Sequence, residues 1–167
     1  MTMAKEKLVD TQFRYQVASR TGGEGLLACF SCGVCTAGCP VADVEEGFNP
    51  RRIIHEILLG KKEELLSSKY LWMCVGCYRC TAHCPQDVEF TNILKVLREI
   101  AVEEGYVSQE WKEIVEDLDR RTQKVRRDCL NYLFENAFFS FPQYLDFYRK
   151  EMGKLSFVSE GEKTDGA

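Results

Sequence analysis

Apolar positions along this chain recur at spacings of three and four residues, and few stretches alternate as a half-buried strand would. Phe13 and Val17 share one side of a short helix, with Asp10 as its cap and Gly22-Gly23 as its stop. Asn49-Pro50 places an N-cap before a proline at the first helical position. Ile53, Ile54, Ile57 and Leu58 follow as one stripe, which Gly60 ends. Phe90, Ile93, Leu94, Leu97, Ile100 and Ala101 form a second stripe, closed by Gly105. Ser108 can cap a third, longer helix bearing Trp111, Ile114, Val115, Leu118, Thr122, Val125, Cys129, Tyr132 and Leu133 on one face. Its polar face is acidic first (Glu110, Glu113, Glu116, Asp117, Asp119) and then basic (Arg120, Arg121, Lys124, Arg126, Arg127), the order that complements a helix dipole. The pattern predicts an all-α fold.

Cysteine changes the picture. The chain has nine in 167 residues. Eight fall in two runs, Cys29-Phe-Ser-Cys32-Gly-Val-Cys35-Thr-Ala-Gly-Cys39-Pro40 and Cys74-Val-Gly-Cys77-Tyr-Arg-Cys80-Thr-Ala-His-Cys84-Pro85, offset by 45 residues. Each run leads into an amphipathic helix, so the chain carries a twofold internal repeat. The spacing C-x2-C-x2-C-x3-C-P is that of bacterial two-cluster ferredoxins, in which the fourth cysteine of each run ligates the other cluster. This assigns Cys29, Cys32, Cys35 and Cys84 to one [4Fe–4S] cluster, and Cys74, Cys77, Cys80 and Cys39 to a second. Pro40 and Pro85 keep a helix from running back through the ligands. Structural zinc is the bland alternative, but it asks only for separated C-x2-C pairs, without a third cysteine or the C-P ending.

Several neighbours of the runs have expected roles. Leu26, Leu27 and Ala28 precede the first run and Leu71, Trp72 and Met73 the second, where they can keep water from the clusters. Arg79, inside the second run, is expected to make the cluster of Cys74, Cys77 and Cys80 the easier one to reduce. His83 can donate to a cluster sulfur, and His55 belongs on a solvated helix face. Cys129, the leftover cysteine, reads as a small buried or interface residue.

Charge and composition bound the rest. A net charge of −4 argues against nucleic-acid binding. No apolar run approaches the roughly 20 residues a transmembrane helix needs, and the N-terminus has no secretory h-region, so a cytoplasmic protein is expected. No G-x-G-x-x-G turn is present, so neither flavin nor nicotinamide is expected on this chain. The sequence divides into a cluster-binding domain over 1–107, a helical segment over 108–150 and a flexible tail over 151–167. Tyr132, Phe134, Phe138, Phe139, Phe141, Tyr144, Phe147 and Tyr148 concentrate in the second part, and such aromatic density suits partner docking.

Two cysteine runs, each followed by a helix, resemble the α-helical ferredoxin arrangement, which also occurs in iron–sulfur subunits of succinate dehydrogenase-like enzymes. The residues around the cysteines are similar to the C-type subunit of heterodisulfide reductase. The similarity lies in the motif at 29–40, Pro-Arg-Arg-Ile-Ile at 50–54, the Leu-Trp-Met-Cys run at 71–80 and Val-x-Phe-Thr-Asn-Ile-Leu-Lys-x-Leu-Arg at 88–98. It covers about residues 10–105. The resemblance implies an electron-transfer subunit, with no catalytic site of its own, between a flavin-containing A-type subunit and a catalytic B-type subunit. The adjacent Cys-Cys pairs of the B-type subunit are absent here. A relay subunit of another flavin-dependent dehydrogenase is the alternative.

Overall fold

The computed structural model describes residues 9–135 and 141–153. Among them lie eight α-helices and no strand: α1 (Phe13–Ala18), α2 (Val34–Ala37), α3 (Pro50–Leu58), α4 (Lys62–Leu66), α5 (Arg79–Ala82), α6 (Phe90–Glu103), α7 (Gln109–Glu135) and α8 (Phe141–Gly153). Two 3₁₀ turns, Glu24–Ala28 and Lys69–Trp72, lead into the two cysteine runs. The chain divides into two compact units, Met1–Lys112 and Glu113–Ala167.

In the first unit, α3 and α6 supply most of the core. Ile53, Ile54 and Ile57 of α3 and Phe90, Ile93, Leu94, Leu97, Ile100 and Ala101 of α6 are all buried, as their periodicity predicts. Phe13 and Val17 of α1 join them, with Leu65 and Leu66 of α4. Each such side chain removed from water contributes about 1.5–3 kcal/mol, which offsets the entropy of ordering the long connections that carry the cysteines.

The helix ends follow local chemistry, with one difference from expectation. Asn49 caps α3, its Oδ1 accepting from the Arg52 N–H at 2.9 Å, with Pro50 next in line. Ser108 Oγ accepts from the Trp111 N–H at 3.1 Å at the start of α7. Gly60 and Gly105 adopt φ of 74° and 77° just beyond α3 and α6. Asp10, however, does not cap α1: its Oδ1 accepts from the N–H of Gln12, closing a turn before the helix. α1 ends at Ala18, ahead of Gly22-Gly23.

In the second unit, Val125 and Cys129 of α7 are buried and Tyr132 stacks on Phe147 of α8, the ring centroids 4.0 Å apart and the planes 5° from parallel. The rest of the α7 stripe behaves otherwise. Trp111, Ile114, Leu118 and Leu133 are exposed, because a period reports which side is apolar and not whether this chain covers it. Phe138, Phe139 and the tail beyond Gly153 lie outside the described residues.

Candidate iron–sulfur site

The repeat is conformational as well as chemical. Ser31 and Gly76 occupy corresponding positions with φ of 63° and 64°, and Gly33 and Tyr78 correspond with φ of 87° and 58°. Each run therefore turns twice through the left-handed region, between its first and second cysteines and again between its second and third. Gly33 and Tyr78 then start α2 and α5, the single helical turns that carry Cys35 and Cys80. Alternation of left- and right-handed residues builds the N–H-lined concavities that bind anions and Fe–S clusters. The two non-glycine cases cost about 1–3 kcal/mol each. Tyr78 is steadied by Lys95, whose Nζ donates to its hydroxyl at 2.6 Å and lies 5.2 Å from the ring centroid.

Packing of α2 against α5 brings the runs together. Cys29, Cys32 and Cys35 of the first run and Cys84 of the second line one pocket, with Pro85, Val88 and Phe90 as its apolar wall and Arg51 at its rim. On the other side, Cys74 lies within electrostatic reach of Cys80 and Cys39. Cys77 stands exposed at the tip of its loop, as Cys32 does on the first. The other six are half-buried, and burial pushes the thiols of Cys35 and Cys74 up; the Gly76 N–H and Arg98 pull Cys74 part of the way back.

These donors fit iron–sulfur clusters. They are soft thiols in two sets of four, the ligand type and number of [4Fe–4S] sites. Among the described residues no three Cys, His, Asp or Glu side chains converge on a point for one metal ion. A cubane makes no such demand, since each thiolate takes an iron at its own corner. Thr81, between Cys80 and Cys84, also has a buried hydroxyl with no hydrogen-bond partner among the described residues. A buried hydroxyl without a partner is costly, and a sulfide is an acceptor it can use.

Residues 25–88, which hold all eight cysteines of the two runs, match the 4Fe-4S dicluster domain. The C-type subunit of a ferredoxin:CoB-CoM heterodisulfide reductase from Methanosarcina mazei is 33% identical over 118 residues, covering 65% of this chain and 72% of that protein. The chain belongs to the family of heterodisulfide reductase C-type subunits. Other members include the C-type subunit of the H(2):CoB-CoM heterodisulfide,ferredoxin reductase of Methanothermobacter thermautotrophicus, 33% identical over 64% of this chain and 56% of that protein. A C-type iron-sulfur subunit of the CoB--CoM heterodisulfide reductase of Methanocaldococcus jannaschii is 38% identical over 49% and 43%. The chain thus spans about half the length of these two relatives. Two [4Fe–4S] clusters are the cofactors of this dicluster domain.

Within this C-type architecture, the shielding residues divide unevenly. Leu26 and its repeat partner Leu71 are fully buried, and Trp72 and Met73 pack half-buried against the core. Leu27 is 51% exposed and Ala28 is also exposed, so neither shields the first pocket as expected. Arg79 is exposed on α5; the guanidinium held near Cys74 is that of Arg98, on α6. His55 and His83 are both exposed. Sequence reading missed Arg98 and Thr91, and only their place in the stripe-bearing stretch 88–98 hinted at them. No helix among the described residues is long and apolar enough to cross a membrane.

Proposed function

We propose that this chain is the electron-relay subunit of a heterodisulfide reductase-type complex, passing electrons between a flavin-containing A-type subunit and a catalytic B-type subunit. In this reading Cys29, Cys32, Cys35 and Cys84 hold one cluster, and Cys39, Cys74, Cys77 and Cys80 hold the other. When bound, each cluster takes up and releases a single electron. The chain's own part is to fix two such groups side by side, with Cys35 and Cys80 on the adjoining helices α2 and α5. Leu26 and Leu71 keep the inner sides dry, while Cys32 and Cys77 leave one edge of each site open. The relatives' names supply the enzyme class, and the pocket that joins Cys84 to the first run is the observation that carries the ligand assignment. The Leu130, Leu133 and Phe134 face of α7 serves partner docking.

Anaerobic purification, an iron and acid-labile sulfide count, and EPR after dithionite reduction test this. About eight of each per chain is expected. Cys84→Ser is expected to disturb the same EPR signal as Cys32→Ser, not that of Cys77→Ser. Zinc without sulfide would overturn the relay reading. A Cys84→Ser effect on the Cys77 signal would overturn the crossed ligation alone.

A further inference from the structure

We propose that Thr91 and Arg98 of α6 raise the reduction potential of the cluster on Cys39, Cys74, Cys77 and Cys80, making it the acceptor end of the relay. The proposal rests on the ligand assignment above and adds a direction to it.

Thr91 is 3% exposed, one of two buried polar side chains among the described residues. Its Oγ1 lies 3.2 Å from the sulfur of Cys80. Between a free thiol and a hydroxyl either group can donate. A ligating cysteine is a thiolate and has no proton to give, so the hydroxyl must donate and the sulfur accept. A hydrogen bond into a ligand sulfur withdraws negative charge from it and favours the added electron. The first run has a threonine in its own loop, Thr36, but its one hydroxyl proton is shared between Asn49 Oδ1, 3.0 Å away, and Cys35, whereas no second acceptor competes for that of Thr91 among the described residues. The first pocket also receives main-chain bonds, from the Val88 N–H to the Cys84 sulfur at 3.3 Å and from the Thr36 N–H to Cys35.

Arg98 adds charge. Its Nε donates to the carbonyl of Leu71 at 2.7 Å and Nη2 to that of Cys74 at 3.2 Å, and the guanidinium lies 5.5 Å from the centre of the Trp72 ring. These contacts hold a half-buried cation beside the first ligand of the second run. Arg51, at the rim of the first pocket, is exposed, and water and salt screen it more strongly. Adding one electron makes a cluster one unit more negative, so the less screened cation favours reduction more.

The test is a mediator-coupled titration of the iron-loaded chain with dithionite, each step followed by EPR and assigned by its response to Cys77→Ser. The step that responds to Cys77→Ser is expected to be the higher of the two. Thr91→Val and Arg98→Met are each expected to reduce the reduced-to-oxidised ratio of that step about tenfold at fixed potential, which is 59 mV for one electron. The other step stays in place. Thr91→Ser and Arg98→Lys restore most of the shift, which a purely structural role for either residue would not produce. Should Arg98→Met fail to load iron, the Thr91→Val and Thr91→Ser pair decides. Full iron with both steps unmoved, or with the other step moved instead, overturns this inference and leaves the relay reading intact. A wild-type chain without the two clusters overturns both.

Discussion

Thr36 and Asn49 tie the first cysteine loop to the helix that follows it. The Thr36 hydroxyl donates to Asn49 Oδ1 at 3.0 Å, and its oxygen accepts from the Arg51 N–H at the same distance. The carboxamide oxygen of Asn49 meanwhile takes the Arg52 N–H. Two side chains thus satisfy two of the open N–H groups of α3, and one of them sits next to Cys35.

Asn49→Ala removes the cap and the carboxamide acceptor of Thr36. The expected cost is about 1 kcal/mol, seen as an earlier midpoint in anaerobic urea unfolding. Asn49→Asp keeps an acceptor there and is expected to unfold near the wild-type midpoint. An Asn49→Ala midpoint equal to wild type would show that the cap and its threonine contribute nothing.

Gly60 is a position where both backbone conformation and space exclude a side chain. Its φ is 74°, and a Cβ built there would fall 2.3 Å from the carbonyl oxygen of Asp10. The Gly60 carbonyl also accepts from the Asp10 N–H at 2.8 Å, so the two backbones meet at contact distance. Gly60→Ala must strain φ and push the strap before α1 away from the end of α3. Roughly 2 kcal/mol of destabilisation is expected, again as an earlier urea midpoint. Gly105→Ala supplies the comparison. Its φ of 77° is similar but nothing lies within 4 Å, so it should cost less.

How far the sequence shows all this depends on the distance over which each feature acts. The two cysteine runs were legible because their spacing repeats within a dozen residues. The α3 and α6 core was legible because a covered helix face repeats every three to four residues. The contacts of Thr91 and Arg98 were not, since they reach from α6 to Cys80 on α5 and to Cys74 in its loop, and no spacing rule joins residues of different elements. Arg79 was the cation nearest in sequence, but α5 turns it to solvent. Trp111, Ile114 and Leu118 show the converse: an apolar period was present, yet these side chains are exposed among the described residues.

Cys129 is expected to be an inert thiol. It is 6% exposed, and burial, then the carboxylates of Glu151 and Asp128, push its thiol above the ordinary range. In the iron-loaded chain iodoacetamide at pH 8 is therefore expected to leave it unmodified until denaturant is added. The raised value means that folding favours the protonated form. Its contribution to stability is complete below the unfolded thiol value of about 8.5 and is lost as pH rises through the higher folded one. Cys129→Ala should accordingly retain full iron content and show a flatter fall in stability above about pH 8.5 than wild type. Rapid alkylation of the native chain, or loss of iron in Cys129→Ala, would instead assign this thiol a reactive or ligating role.

Phe134 is the residue that tests the docking role proposed for the C-terminal unit. Not all of the aromatic segment is free to serve it. Tyr132 is stacked on Phe147, and Tyr144 lies 6.1 Å from Tyr148. Phe134 is 85% exposed, and Leu130 and Leu133 beside it on α7 are 37% and 38% exposed. A phenylalanine this open packs little against the described residues, so changing it tests the surface more than the fold. Phe134→Asp places a charge on the patch, and desolvating that charge against an apolar partner is costly. At least tenfold weaker retention of the A-type or B-type subunit is expected in co-purification, with iron content and urea midpoint unchanged. Undiminished retention would place the docking surface elsewhere. The exposed loop tips around Cys32 and Cys77 are then the next surfaces to alter, since there the two cysteine runs come nearest to solvent.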